Sequence, residues 1–242
     1  LELTPDEPVL EIGPGIGTLT QMLAMTGAQV TAVELDRRFI DILAKTLQGY
    51  ENVRVVQGDV LSLDVREVMG TGRFQIAGNL PYYITTPIVM KFLEEKVPVD
   101  RMVFMVQKEV ADRMVASPGT KAYGALSIAV RYHTEATKLF EVPAGAFMPP
   151  PAVDSAVILL RRRENPPVEV PSEKLFFQLV KAAFAQRRKT LANSLRGGGI
   201  PDDVVAAILD KTGMDGKRRG ETLSLEEFAV LCRAYCLLKE EI

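Results

Sequence analysis

The sequence has little of what metal-dependent and covalent enzymes rely on: 242 residues carry two cysteines and one histidine. Cys232 and Cys236 stand four apart in a segment with helical periodicity. They allow no disulfide framework and read as one face of a packed helix rather than half a metal site. His133, the single histidine, leaves no Ser-His-Asp triad with a spare base and no four-ligand zinc cluster of the usual types. Its plain reading is a half-buried or surface strand residue. Catalysis is expected to need neither a metal nor a covalent nucleophile. No apolar run approaches the roughly 18 to 20 uninterrupted residues of a membrane span. Leu1-Glu2-Leu3-Thr4 lacks the basic segment and apolar core of a signal peptide. The expectation is a cytoplasmic protein without a membrane segment, with residues upstream of Leu1 removed.

What is present is an ordinary globular balance of 47% hydrophobic and 25% charged residues. The length suits a domain of roughly 150 residues with a smaller companion. The formal charge of −2 conceals an uneven distribution. From Lys181 through Arg219 nine basic residues face four acids, a local excess of +5.

Short apolar runs alternate with helical patterns over the first two-thirds, the signature of a parallel sheet covered by crossover helices. Residues 9–12, 29–34, 53–56, 74–78 and 101–107 read as strands, and 18–26, 37–46 and 86–95 as helices between them. Two more strand-like stretches, 135–140 and 155–161, are separated by a Pro-rich loop too short for a parallel crossover, so they are expected to pair antiparallel at one end of the sheet. Three prolines within Glu164–Pro171 cannot sustain a helix or a central strand, which marks a linker. The remainder reads as helical, with Ser172 able to cap a helix at 174–185 and Ser224 to Glu227 forming a capping box.

The chemistry-bearing residues fall at strand ends. Glu11-Ile12-Gly13-Pro14-Gly15-Ile16-Gly17-Thr18 turns the first strand into the first helix, and its glycines let a ligand approach the backbone. Thr18 stands where a nicotinamide fingerprint wants its third Gly, which disfavours a dinucleotide and leaves room for a bulkier group. Glu11 fits a ligand with a positive centre. Glu34, at the second strand end, can accept from both ribose hydroxyls of an adenosine, and Asp59, in Gly58-Asp59-Val60, from an adenine amino group. Each alone could be a solvated strand-end acid; three at consecutive strand ends make that reading much weaker. Asn79-Leu80-Pro81-Tyr82 follows the fourth strand. Two acceptors there, the Asn79 amide oxygen and the Leu80 carbonyl, would draw an adenine amino nitrogen toward a nucleophilic geometry. Tyr82 would stack on the extruded base, with Phe147 on its other face and Pro81 stiffening the loop. Core packing is the plain alternative for both aromatics. Arg187, Arg188, Lys189 and Arg196, with Lys217, Arg218 and Arg219, are suited to phosphate contacts. A solvated helix face is the alternative for either cluster.

These stretches, with Phe147-Met148-Pro149-Pro150-Pro151-Ala152-Val153-Asp154-Ser155 and Phe184-Ala185-Gln186-Arg187-Arg188-Lys189-Thr190-Leu191, resemble the adenine-dimethylating ribosomal RNA methyltransferases of the kasugamycin-resistance type, from Leu3 to about Leu238. The resemblance implies a doubly wound Rossmann-like α/β sheet with an antiparallel strand at one edge, plus a small C-terminal all-helical domain. It implies S-adenosylmethionine as donor, with Glu11, Gly13, Gly15, Glu34, Leu35, Asp59, Val60 and Asn79 around it, and Asn79, Leu80, Pro81, Tyr82 and Phe147 at the reacting base. It divides the chain into a catalytic domain at 1–163, a linker at 164–171 and an RNA-binding domain at 172–242. The implied substrate is two adjacent adenines of small-subunit ribosomal RNA, free or in a pre-assembled subunit, and the implied state a monomer. Members of that family carry, upstream of the first strand, a basic segment and a Gln-Asn-Phe-Leu-like stretch that this sequence does not show. An erythromycin-resistance-type enzyme acting on large-subunit RNA is the nearest alternative, and the Gln-Arg-Arg-Lys-Thr-Leu stretch favours the small-subunit type. A non-catalytic assembly or nucleic-acid-binding relative is another, and a dehydrogenase a distant third.

Overall fold

The computed structural model describes residues 1–95 and 97–240. In chain order it runs β1 (Pro8–Ile12), α1 (Thr18–Ala24), β2 (Gln29–Glu34), α2 (Arg37–Thr46), β3 (Val53–Gln57), α3 (Val65–Met69), β4 (Phe74–Asn79), α4 (Thr85–Glu94), β5 (Val99–Gln107), α5 (Lys108–Val115), α6 (Ala125–His133), β6 (Thr134–Val142), β7 (Ser155–Arg162), α7 (Glu173–Phe184), α8 (Leu191–Gly197), α9 (Asp202–Thr212) and α10 (Leu225–Glu240). It forms two compact units: Leu1–Ala111 with Glu135–Arg162, and Asp112–Thr134 with the described residues from Arg163 on.

The first unit is a seven-stranded sheet in the order β3-β2-β1-β4-β5-β7-β6. β3, β2, β1, β4 and β5 are parallel, and β7 runs antiparallel to β5. This is the expected Rossmann-like sheet, with 135–140 and 155–161 as edge neighbours and the expected elements placed within two residues. The central strands are buried because both faces are covered: Val9 and Leu10 on β1 and Ile76 on β4 have no exposed surface. α2 presents Phe39, Leu43 and Leu47 at helical spacing, and Asp36 caps it by accepting the Arg38 N–H at 2.9 Å. Pro87 lies in the first turn of α4, where its missing N–H interrupts no helical bond. Strand order reverses between β1 and β4, and ligands of such sheets bind outside the carboxyl ends at that point. Register fixes the neighbours there: Ile12 pairs with Val33 on one side and Gly78 on the other, so Gly13 adjoins both Glu34 and Asn79. At Gly78 a Cβ would stand 3.0 Å from the Ile12 carbonyl, closer than side chains ordinarily come, so glycine eases this approach of β1 and β4.

The second unit is helical, its core formed by Phe176, Leu179, Leu195, Ile208 and Phe228 together with Tyr123, Ile128 and Tyr132. Tyr132 stacks on Phe176 at 5.2 Å, and the Tyr123 hydroxyl donates to the Leu223 carbonyl at 2.9 Å. Residues 112–134 therefore pack with helices that follow them by 40 residues or more, an association between distant segments. The stretch 164–171 also lies in this unit, where Val168 and Val170 pack against the core. Ser172 caps α7 through the Leu175 N–H, and Ser224 and Glu227 exchange backbone hydrogen bonds at 2.8 and 3.3 Å, the expected capping box. Cys232 and Cys236 are buried on α10. His133 corrects the expectation of a strand residue. It ends α6, buried, with its ring stacked on Phe177 at 5.5 Å and Nε2 3.6 Å from Glu173. The apolar run that precedes it is buried as a helix.

Candidate active site

The Gly-rich turn is held by backbone bonds. Gly13 N–H donates to the Val33 carbonyl at 3.0 Å, and Gly13 and Gly15 adopt φ of +66° and +58°, open to glycine and strained for other residues. The space where a Cβ would stand is empty to 4 Å at both. Glu34 ties this turn to β2: its Oε2 accepts from Gly15 N–H at 3.1 Å and its Oε1 from Asp36 N–H at 2.8 Å. Each carboxylate oxygen keeps further acceptor capacity, so the side chain is oriented without being saturated. Asp59, half-buried, is fixed by the Leu61 N–H at 2.9 Å, an Asx-turn. Leu35 is exposed after Glu34, whereas Val60 is buried.

Glu11 differs from these acids. It is 1% exposed and its Oε2 has no hydrogen-bond partner among the described residues. Burial pushes its carboxyl up to about 7, the Thr20 hydroxyl opposing and the Glu34 charge reinforcing the rise.

Asn79 ends β4 with its side chain exposed, while Leu80 is buried and its N–H donates to the Met105 carbonyl at 3.0 Å. The Pro81 carbonyl accepts from Ile84 N–H at 3.1 Å and from the Thr85 hydroxyl at 3.0 Å, closing a turn whose central residues are Tyr82 and Tyr83. The half-buried Tyr82 shares a 2.7 Å hydrogen bond with Ser155 at the start of β7. Phe147, also half-buried, lies in the preceding loop, which Asp154 closes by accepting from Ala144 N–H at 2.9 Å. The Tyr82–Ser155 bond thus joins the Asn-Leu-Pro-Tyr turn to the base of the loop that carries Phe147. Ser155 as the anchor of Tyr82, and the exposed Tyr83 beside it, carry no signal in the sequence beyond residue type.

A cleft of about 820 Å3 opens at the carboxyl ends of β1 and β4. Glu11, Gly13, Gly15 and Asn79 line it, with Ile16, Leu19 and Met22 along one wall. Glu34, Leu35, Asp59, Val60, Leu80, Pro81, Tyr82 and Phe147 are outside its lining.

The basic residues of the helical unit divide into two sets. Arg187 pairs with Glu221 at 3.1 Å and donates to the Lys121 carbonyl at 2.7 Å; Arg196 pairs with Asp202 at 2.9 Å; Arg218 pairs with Glu227. Arg188, Lys189, Lys217 and Arg219 are exposed, with no partner among the described residues. Leu191 N–H donates to the Arg218 carbonyl at 2.6 Å and Ala192 N–H to Gly216 at 3.1 Å, which sets the two basic stretches side by side. Among the described residues no His, Cys, Asp or Glu group could hold a metal ion, and no helix is long and apolar enough to cross a membrane.

A family model described as ribosomal RNA adenine dimethylase matches residues 1–230. A Bacillus mycoides (strain KBAB4) protein named ribosomal RNA small subunit methyltransferase A is 51% identical over 248 residues, covering 98% of this chain and 85% of its own. A crystal structure of a dimethyladenosine transferase from Plasmodium falciparum superposes with a TM-score of 0.79 at 26% identity, over 95% of this chain and 90% of that one. That of the 23S rRNA methyltransferase ErmE superposes with a TM-score of 0.70 at 32% identity, over 97% and 93%.

Proposed function

The chain belongs to the ribosomal RNA adenine dimethylase family, and from that premise we propose that it transfers two methyl groups to the exocyclic amine of each of two adjacent adenines in small-subunit ribosomal RNA during ribosome biogenesis. The observation that carries this reading is the meeting of the Gly-rich turn and Asn79 at the reversal of strand order. The donor is S-adenosylmethionine, which when bound supplies an electrophilic methyl group. The residues present suit it: Glu11 carries an unpartnered buried oxygen, and the positive-φ glycines leave open space. Glu34 and Leu35 would hold its ribose end, and Asp59 and Val60 its adenine.

At the target base, the Asn79 oxygen and Leu80 carbonyl would accept the two amino hydrogens and stabilise positive charge as it develops on nitrogen. Tyr82, its hydroxyl tethered by Ser155, and Phe147 would clasp the extruded ring, with Pro81 restricting the turn. The α/β unit, Leu1–Ala111 with Glu135–Arg162, is assigned to donor binding and catalysis, and the helical unit, which takes in 112–134 and 164–171 besides the expected helices from 172 on, to RNA. There Arg188, Lys189, Lys217 and Arg219 are the cations available to phosphates, and Arg187, Arg196 and Arg218 chiefly brace the fold. We place the protein in the cytoplasm, as a monomer acting on naked RNA or a pre-assembled subunit. Identity of 51% to a small-subunit enzyme against 32% to the large-subunit ErmE favours the small-subunit target. Methyl transfer to under-methylated small and large subunits, assayed separately, tests it. Label in large-subunit RNA would favour the erythromycin-resistance type, and donor binding without transfer a non-catalytic relative.

A further inference from the structure

Glu11 is a buried acid that faces ligand space with no cationic side chain paired to it among the described residues. It sits on β1, lines the cleft, and leaves Oε2 without a hydrogen bond among the described residues. Among the described residues, the elements packed around it supply no cationic side chain. α1 offers the Thr20 hydroxyl and has no titratable side chain from Thr18 to Ala24. β2 offers Glu34, a like charge already held by two backbone N–H groups. β4, Phe74–Asn79, has no titratable side chain. The cleft mouth holds Glu2, paired with Arg101, and the Leu1 α-amine, whose charge bears on Glu2; no lysine or arginine side chain is in the lining. In such surroundings a carboxyl holds its proton, because an ionised and uncompensated buried carboxylate costs far more than a neutral one. The rise of Glu11 to about 7 follows from the same burial and the same neighbour.

We infer that binding of the donor displaces the proton of Glu11, the carboxylate ionising against a cationic group of the ligand. The inference rests on the reading of this cleft as the donor site. No covalent bond changes other than the O–H of the carboxyl. Its proton passes to solvent, and the charge left behind is matched by the ligand. Without the ligand, Glu11 is thereby kept from adding a second carboxylate charge beside Glu34; with it, the carboxylate and the ligand's cationic group form an ion pair shielded from water. A ligand of the same shape without the positive group would leave the proton in place and bind less tightly.

Linkage sets the size of the effect. A group half-protonated near pH 7 that is fully ionised in the complex releases about 0.5 proton at pH 7 and about 0.9 at pH 6, and affinity falls about fivefold between them. Titration calorimetry of the full chain with S-adenosylmethionine, at pH 6 and 7 in two buffers of different ionisation heat, reads this directly. The wild type is expected to show buffer-dependent heats with those proton numbers, and E11Q to show neither the release nor the fivefold change. The donor's own α-amine titrates near 8 and contributes alike to both proteins, so their difference isolates Glu11. Infrared difference spectra of the wild type require no variant: loss of a protonated-carboxyl band on donor addition supports the inference. Donor binding with no proton release beyond that of E11Q, or an unchanged carboxyl band, would overturn it. Failure of the wild type to bind the donor at all would instead overturn the donor-site reading.

Discussion

The two units treat charge in opposite ways. In the α/β unit the acids of the site lie at strand ends and are oriented by backbone N–H groups, as Glu34 is by Gly15 and Asp36 and Asp59 is by Leu61, while Glu11 is buried with one oxygen unpartnered among the described residues. In the helical unit three arginines of the basic stretches are paired with acids on the surface, and four cations beside them face solvent. A polar group held by backbone and left partly unsatisfied is suited to a ligand of defined shape. Cations on mobile stems around a closed apolar core suit a polyanion contacted over a broad area. Under the proposed function, shape-specific binding and chemistry are assigned to the first unit and salt-dependent affinity to the second.

The largest effect expected from breaking this contrast is at Asn79. Replacing Asn79 with Ala should lower turnover by about a hundredfold or more, the scale of removing one preorganised acceptor from a developing charge. Asn79→Asp should impair the second transfer more than the first, because after one methylation a single hydrogen is left for two acceptors and an unpaired carboxylate tolerates that worse than an amide. Chromatography of digested RNA separates the products. Equal loss of mono- and dimethyladenosine would contradict the acceptor-sharing argument.

Next is the stability cost at Glu11. Burial raises its carboxyl from the ordinary 4.5 of a free glutamate to about 7, so between these values the folded state holds a proton that the unfolded chain has released. Stability should fall as pH rises from about 4.5 to 7, by up to about 3 kcal/mol. E11Q should flatten that dependence, leaving the variant more stable than the wild type at pH 8 and similar at pH 4. Urea midpoints across this range are the measurement, and parallel curves would remove the buried charge from the account.

Glu34→Ala should weaken donor binding by about 1 to 3 kcal/mol, since it removes an acceptor and frees the Gly15 and Asp36 N–H groups together. Calorimetry showing unchanged affinity would cancel the ribose assignment. The smallest effects sharpen the helical side. Arg187→Ala should cost about 1 kcal/mol of stability through its lost contacts to Glu221 and the Lys121 carbonyl. Changing Arg188, Lys189, Lys217 and Arg219 to Ala should leave stability unchanged and flatten the salt dependence of RNA binding by up to about four phosphate contacts. An unaltered slope would make this face merely solvated.

What the sequence discloses follows the same division. Strand ends, the Gly-rich turn and the acids near the carboxyl ends of β1, β2 and β3 are local patterns, so the sheet and the strand-end positions of Glu11, Glu34 and Asp59 are legible before any coordinates. Capping by Ser172 and Ser224 is equally local. The packing of residues 112–134 with α7 and α10 is a choice among distant apolar surfaces, and no local period encodes it. The expectation of a strand at His133 fails for that reason, its surroundings being Phe177 and Glu173, some 40 residues away. Which arginines of a basic run are paired likewise depends on acids far along the chain, such as Glu221 for Arg187.

The central claim, that this chain dimethylates adenine in small-subunit ribosomal RNA, is tested most directly by transfer from methyl-labelled S-adenosylmethionine to under-methylated small ribosomal subunits, followed by nucleoside analysis. The account predicts dimethyladenosine at two adjacent positions of the small-subunit RNA and none in large subunits treated alike. Label confined to large-subunit RNA, or no transfer by a protein that binds the donor, would contradict it.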